Sequence, residues 1–196
     1  MEEKYAHIIA EAASDAGADP MLLIALATVA SGGNPHMMRY DSLYPRVDLR
    51  LKRPEDITLD TESLCQRMKW GIFQLQGARA RRLGFDGWFS ELTDAAQSSA
   101  LAAKLLHALQ DQYGQKHGLN GIISAWFGES PRTRPDGNYQ NQPVVDAVLK
   151  ELQRLREAEK EVEETVDIPA EEPVVKKQKN RSKGPQKAPI EKAGQE

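Results

Sequence analysis

Residues 22–35 read LLIALATVASGGNP: a helix of almost wholly apolar residues running into Ser-Gly-Gly-Asn-Pro. Its start is well marked, because Asp19 can cap the free amides and Pro20 suits the first helical turn. Met21 to Ala30 gives about three turns, and apolar residues on nearly every side imply burial all round. Gly32 and Gly33 release the chain, and Pro35 keeps the helix from restarting. Ala30 continues the ridge of Leu22 and Leu26, so its side chain belongs at the rim where core meets cleft.

Outward from this helix the pattern stays helical. Tyr5, Ile8, Ile9, Ala12, Ala13 and Ala16 keep helical spacing, and Gly17 closes that first helix. Residues 36–60 hold Pro45, Pro54 and many charges with no sustained period, which reads as a long ordered loop or flap. A short helix over Thr61 to Met68 precedes WGIFQLQGARARRLGF, a turn and another short helix closed by Gly84. Asp94 opens the longest helix, with Leu101, Leu105, Leu106, Leu109 and Tyr113 inside and Gly114 at its end. Asn120 caps the short apolar helix GIISAWF, and Pro143 opens a last one through Val144, Val145, Val148, Leu149, Leu152 and Leu155. No strand-like alternation and no internal repeat stands out, so the body is mainly α.

The chain of 196 residues is long enough for one core plus appendages. Its net charge of -3 lies too near neutrality to argue for nucleic acid or an anionic membrane surface. The single cysteine, Cys65, excludes an intramolecular disulfide and a cysteine-rich metal site, and reads as a small buried hydrophobe. His7, His36, His107 and His117 lack metal-ligand spacing, so neither a metal nor another cofactor is expected. No apolar run approaches the ~18 to 20 residues of a membrane span. The acidic, amphipathic start MEEKYAHIIAEAAS is no secretory signal, which places synthesis and folding in a cytoplasm. Beyond about Arg156 an acidic block, EAEKEVEETVDIPAEE, and a basic block, KKQKNRSKGPQK, follow without aromatics. The expected division is therefore a helical domain over 1–157 and a charged low-complexity tail over 158–196. The tail is extended or disordered, with opposite-charge blocks suited to docking on a partner.

Three stretches in order, ALATVASGGNP, KWGIFQLQGARARRLGF and IISAWFGESPRTRPDGNYQNQPVVDAVL, resemble the lysozyme-like domain of soluble lytic transglycosylases. The likeness is to the phage-encoded branch in particular and spans about residues 5–155. That family reads glutamate-Ser-Gly at the end of a buried helix, then Gly-Leu-Met-Gln, then Ala-Tyr-Asn. The resemblance implies cleavage of β-1,4 bonds in peptidoglycan. One glutamate protonates the leaving oxygen and then serves as base while the sugar's 6-hydroxyl closes a 1,6-anhydro ring. A half-buried carboxyl at the end of an apolar helix has the raised pKa such an acid needs.

The sequence departs from this pattern at the decisive place. Ala30 occupies the position of the catalytic glutamate, beside matching Ser31 and Gly32. Gly71 and Gln74 match, but Trp126 and Phe127 stand where the family has tyrosine and asparagine. Departures at two cleft motifs favour a naturally silenced site over a single engineered knockout. The resemblance then implies substrate-binding positions at Ser31, Gln74, Trp126, Phe127 and Tyr139 with no intact catalytic residue. An active enzyme would need a substitute acid, and Glu62 and Glu129 are the two considered, although an exposed or capping role for Glu62 and a solvated one for Glu129 are the simpler readings. The exposed-ring role of Trp126 and Phe127 competes in the same way with core packing. The functional expectation is a virion protein of a phage tail, baseplate or ejection assembly. It would be present in multiple copies, contact other virion proteins through the tail and meet glycan strands of peptidoglycan in its cleft. The alternative is an active lytic transglycosylase.

Overall fold

In a computed structural model of the chain, residues 1–166 are described, with side chains to residue 162. The fold is mainly helical. Helix α1 (Glu3–Asp15) leads into α2 (Pro20–Ser31), capped by Asp19, whose carboxylate accepts from the Met21 and Leu22 amides at 2.9 and 3.2 Å. Gly32 ends α2 in the left-handed conformation, at φ 67°, as the Gly-Gly pair requires. Leu22, Leu23, Ala25, Leu26 and Ala27 are all buried, so α2 is the central rod of the domain.

Three short strands, β1 (Met38–Tyr40), β2 (Met68–Trp70) and β3 (Leu75–Gln76), form an antiparallel sheet in that order. The sequence reading found no strand here. Runs of two and three residues carry no measurable alternation, and their pairing is set by the loops that bring them together. Between β1 and β2 lie a long irregular segment and α3 (Leu59–Gln66). The β2–β3 turn needs Gly71, at φ 67°, because a Cβ there would stand 2.0 Å from the Leu92 carbonyl oxygen.

Helix α4 (Gly77–Arg82) and a single 3-10 turn at Phe89–Thr93 lead to α5 (Ala95–Gly128). The expected stop at Gly114 does not occur. The chain continues as helix to Gly118, where φ 59° and ψ −164° break it, and then resumes through the buried Ile122, Ile123, Ala125 and Trp126. Glycine disfavours a helix without forbidding it, and the packing of both halves against the core carries the helix across Gly114.

Helix α6 (Gln142–Val166) lies along α2, with Val145, Val148 and Leu152 buried. Arg156 of α6 reaches Asp19 at 3.1 Å, so the two helices run antiparallel and α6 begins near the end of α2 that carries Ala30. The helix continues beyond residue 157, the expected end of the helical domain. The tail after residue 166, with its expected disorder and partner docking, lies outside the described residues.

Candidate functional site

The C-terminal turn of α2, the sheet, α4 and the end of α5 enclose a cleft of about 450 Å³. Ala30, Gln74, Trp126 and Phe127 line it together. Ala30 projects a methyl group at its edge from a half-exposed position, the rim that the ridge of α2 leads to. Trp126 is largely core, 5% exposed and edge-on to Phe73 at 6.1 Å, so only its margin faces the cleft. Phe127, one residue on, is less deeply buried.

Gln74 is held firmly. Its Nε2 donates to the carbonyls of Met37 at 2.8 Å and Gly71 at 2.9 Å, which leaves Oε1 buried without a partner. Its φ is 51°, and Glu129 has φ 64°. They are the two non-glycine residues with positive φ among the described residues, and both line this cleft. Such backbone strain persists where surrounding contacts hold a side chain in a required place.

Glu129 follows α5 directly and is the centre of a polar cluster. Its carboxylate accepts from the Tyr44 hydroxyl, from Arg46 at 2.6 Å and from Arg82 at 3.0 Å. Burial pushes the Glu129 carboxyl up, but the Tyr44 hydroxyl and the charges of Arg79, Arg82 and Arg46 outweigh it and leave it below its ordinary value. The cluster ties the 41–58 segment to α4 and α5. Arg79, 9% exposed, donates to the Trp126 and Ala125 carbonyls at 2.6 and 2.9 Å, filling acceptors that the end of α5 leaves open. Burial lowers the Arg79 pKa from its ordinary value.

Three of the expected site residues lie elsewhere. Ser31 is buried beneath the cleft, donating to the Ile72 carbonyl at 2.6 Å and accepting from the Gly33 amide at 3.2 Å. It fastens α2 to the β2–β3 turn and does not line the cleft. Tyr139 packs on α5 and donates to the His117 carbonyl at 3.3 Å, away from the cleft lining. Glu62 is fully buried and also off the cleft. Its two oxygens meet Arg81 at 2.9 and 3.0 Å, and Gln66 donates a further bond at 2.8 Å. A substitute acid there would have no path to a glycan, because its carboxylate is committed to a buried guanidinium. The expected exposed or capping role of Glu62 and solvated role of Glu129 are corrected too, since Thr58 caps α3 and arginines draw both carboxylates inward.

The sequence reading assigned no role to Tyr44, Arg46, Lys69, Arg79 or Arg82. The only signal was the run of arginines in GARARR, and nothing in it told that Arg81 turns inward while Arg79 reaches the cleft. Among the described residues no helix is long and apolar enough to cross a membrane, and no group of His, Cys, Asp and Glu could hold a metal ion.

The family model of the transglycosylase SLT domain matches residues 7–127, more than half of the chain. The match contains Ala30, Gln74, Trp126 and Phe127, whereas Glu129 and Tyr139 fall beyond it. No match to this chain was found among the curated proteins or the solved structures. A helical body built around a buried α2, with a cleft at its C-terminal end and the matched segment running through every element that lines it except the start of α6 and the residues just before it, places this chain in the transglycosylase SLT domain family.

Proposed function

We propose that this domain binds the glycan strands of peptidoglycan without cleaving them. The observation that carries the reading is Ala30 at the cleft end of α2, where the sequence resemblance implies the catalytic glutamate. A methyl group cannot deliver a proton. Loss of such an acid typically costs ~10² to 10⁴ in rate, and more where no other group substitutes. Of the two carboxylates that line the cleft, Glu129 is kept ionised by Tyr44 and its arginines. Asp41 is engaged in a turn, accepting from the Leu43 amide at 3.2 Å. The alternative reading, an active enzyme using Glu62, is disfavoured by the pairing of that carboxylate with Arg81.

The test is incubation of the full chain with cell-wall sacculi, reading both co-sedimentation and release of 1,6-anhydro-muropeptides. Co-sedimentation without release above background is the expected result. Release above background would establish the enzyme instead, and its loss in Asp41→Asn, in Glu129→Gln or in a Glu62→Gln variant that remains folded would name the acid. Ala30→Glu should give at most weak release, because Phe127 stands where the family's amide would hold the sugar. Full activity from that one change would show that the second departure is of little consequence.

The reading extends to a phage particle, with the domain carried in several copies in a tail, baseplate or ejection assembly and tethered by the 158–196 tail. This part rests on the likeness to the phage branch and on the tail's charge blocks alone. Deleting residues 160–196 should then abolish incorporation into particles. Incorporation at normal copy number would rule out the tether.

A further inference from the structure

Strand β1 forms one edge of the sheet, and among the described residues no strand pairs with its outer side. The Gly71 amide donates to the Met37 carbonyl at 2.9 Å, and the Asp41 amide to the Arg67 carbonyl at 3.0 Å. Both bonds fit the register that sets Arg39 opposite Lys69, so residues 37, 39 and 41 turn their backbone groups towards β2. The amides and carbonyls of Met38 and Tyr40 therefore point outward, an open template for another strand. Sheet edges are commonly blunted by proline, by a bulge or by a covering loop. This one instead exposes Met38 and Tyr40 at 53% and 52%, and Leu43 just beyond them at 87%. Arg39 and Asp41 alternate with this pair and line the cleft, so Met38 and Tyr40 lie on the other face of the sheet.

Charge decides what fits this edge. A second copy of β1, running antiparallel, must set outward-facing residues against outward-facing residues. Met38 against the partner's Tyr40 would oppose Arg39 to Arg39, a like-charge pair that a sheet avoids. Met38 against the partner's Met38 would leave Arg39 facing Met37. Tyr40 against the partner's Tyr40 sets Arg39 of each copy against Asp41 of the other, twice over by symmetry.

We infer that β1 is a self-association edge, pairing antiparallel with β1 of a second copy about a twofold axis at Tyr40, with Arg39 of each copy opposite Asp41 of the other. Within one copy Arg39 stands opposite Lys69, and repulsion between them goes unanswered by any ion pair among the described residues. The partner's Asp41, on the other side of Arg39, turns that opposition into a row of alternating charge. Asp41 can serve, because only one of its carboxylate oxygens is given to the Leu43 amide, at 3.2 Å. Twofold pairing of one edge with itself is the commonest way two copies of a chain meet. Residues opposite each other across a ladder share a face, so both clefts open on the same side of the joined sheet. The ladder is short, which makes the dimer a weak one. The pairing goes beyond the glycan-binding reading and does not rest on it.

The experiment is sedimentation of the full chain in low salt, from micromolar to millimolar concentration. The average mass should climb from 21.8 kDa towards twice that value, and less steeply as sodium chloride is raised. Arg39→Asp and Asp41→Arg should each weaken association at least about tenfold, since either change turns both symmetric pairs from attraction to repulsion. An equimolar mixture of the two variants should associate again, because every contact between unlike copies then joins opposite charges. The double variant Arg39→Asp, Asp41→Arg should associate by itself. Neither recovery could come from a variant that had merely lost its fold. A mass that stays at 21.8 kDa throughout would overturn the inference. Association that persists in both single variants would overturn it too, by placing the contact on another face. Failure of both the mixture and the double variant to associate would do the same, and so would association that vanishes when residues 167–196 are deleted.

Discussion

Glu62 and Glu129 are both carboxylates drawn away from water and both held by arginine, yet they do opposite things for the molecule. Glu62 is completely buried with Arg81, whose remaining donors reach the carbonyls of Phe85 at 2.9 Å and Gly87 at 2.8 Å. The Arg81 guanidinium also lies over the Phe89 ring at 4.0 Å. Gln66, bonded to Glu62, takes both the amide and the carbonyl of Asp48 at 2.8 and 2.9 Å. Every polar atom of that network has an internal partner, and the product is a rigid junction between α3, α4 and the long loop. Glu129 faces an open cleft from a strained backbone position and shares its charge with partners that are themselves partly in water. The same chemical pair fixes the fold in one place and shapes a surface in the other. Access of solvent separates the two.

That contrast predicts a large difference in the cost of breaking each pair. Arg81→Met should destabilise the domain by about 3–5 kcal/mol, because the Glu62 carboxylate would remain buried without a counter-charge. The double variant Glu62→Met, Arg81→Met should recover most of that loss in chemical denaturation. Equal losses in the single and double variants would mean that packing, and not the orphaned charge, sets the cost.

Glu129→Gln should cost less, about 1–2 kcal/mol, since water screens a cluster whose Arg46 is half exposed. The sign with pH is fixed by the lowered Glu129 value. Its contribution is complete above the ordinary carboxylate range and fades as the pH falls through the lowered folded value. The stability gap between the native chain and Glu129→Gln should therefore be full at neutral pH and close in acid, below about pH 4. A gap that persists in acid would assign the effect to backbone or packing.

The smallest effect sharpens the comparison from outside. Asp19, at the far end of α2, pairs with Arg156 in an exposed setting while capping the helix. Asp19→Ala should cost about 1 kcal/mol, the worth of an ordinary N-cap. It should leave sacculus binding unchanged, because it touches nothing in the cleft. A binding loss from this variant would show that the two ends of α2 are coupled.

Much of the scaffold was legible along the chain. The cap at Asp19, the stop at Gly32 and the burial of α2 are local matters, decided by neighbours within a helical turn or two. The rim position of Ala30 came from the same local reading, whereas its significance and that of Gln74 came from the resemblance to a known family. The three strands, the continuation of α5 past Gly114 and the inward turn of Arg81 were not legible, because each depends on what packs from elsewhere in the chain. Ser31 and Tyr139 show the same limit from the other side. Their motif neighbourhood pointed to a ligand, and their hydroxyls are bonded to backbone carbonyls.

The sequence by itself determined a mainly helical body, its central apolar rod and the absence of a carboxyl at position 30. Periodicity, capping and residue identity are written in consecutive positions and need no partner. Only the tertiary structure decided which charges face which. Residues far apart in the chain meet in the Glu62–Arg81 pair, the Glu129 cluster and the Arg39–Lys69 opposition. The strength and sign of each contact depend on distance and on how much water remains between the groups. Neither is written in the order of residues.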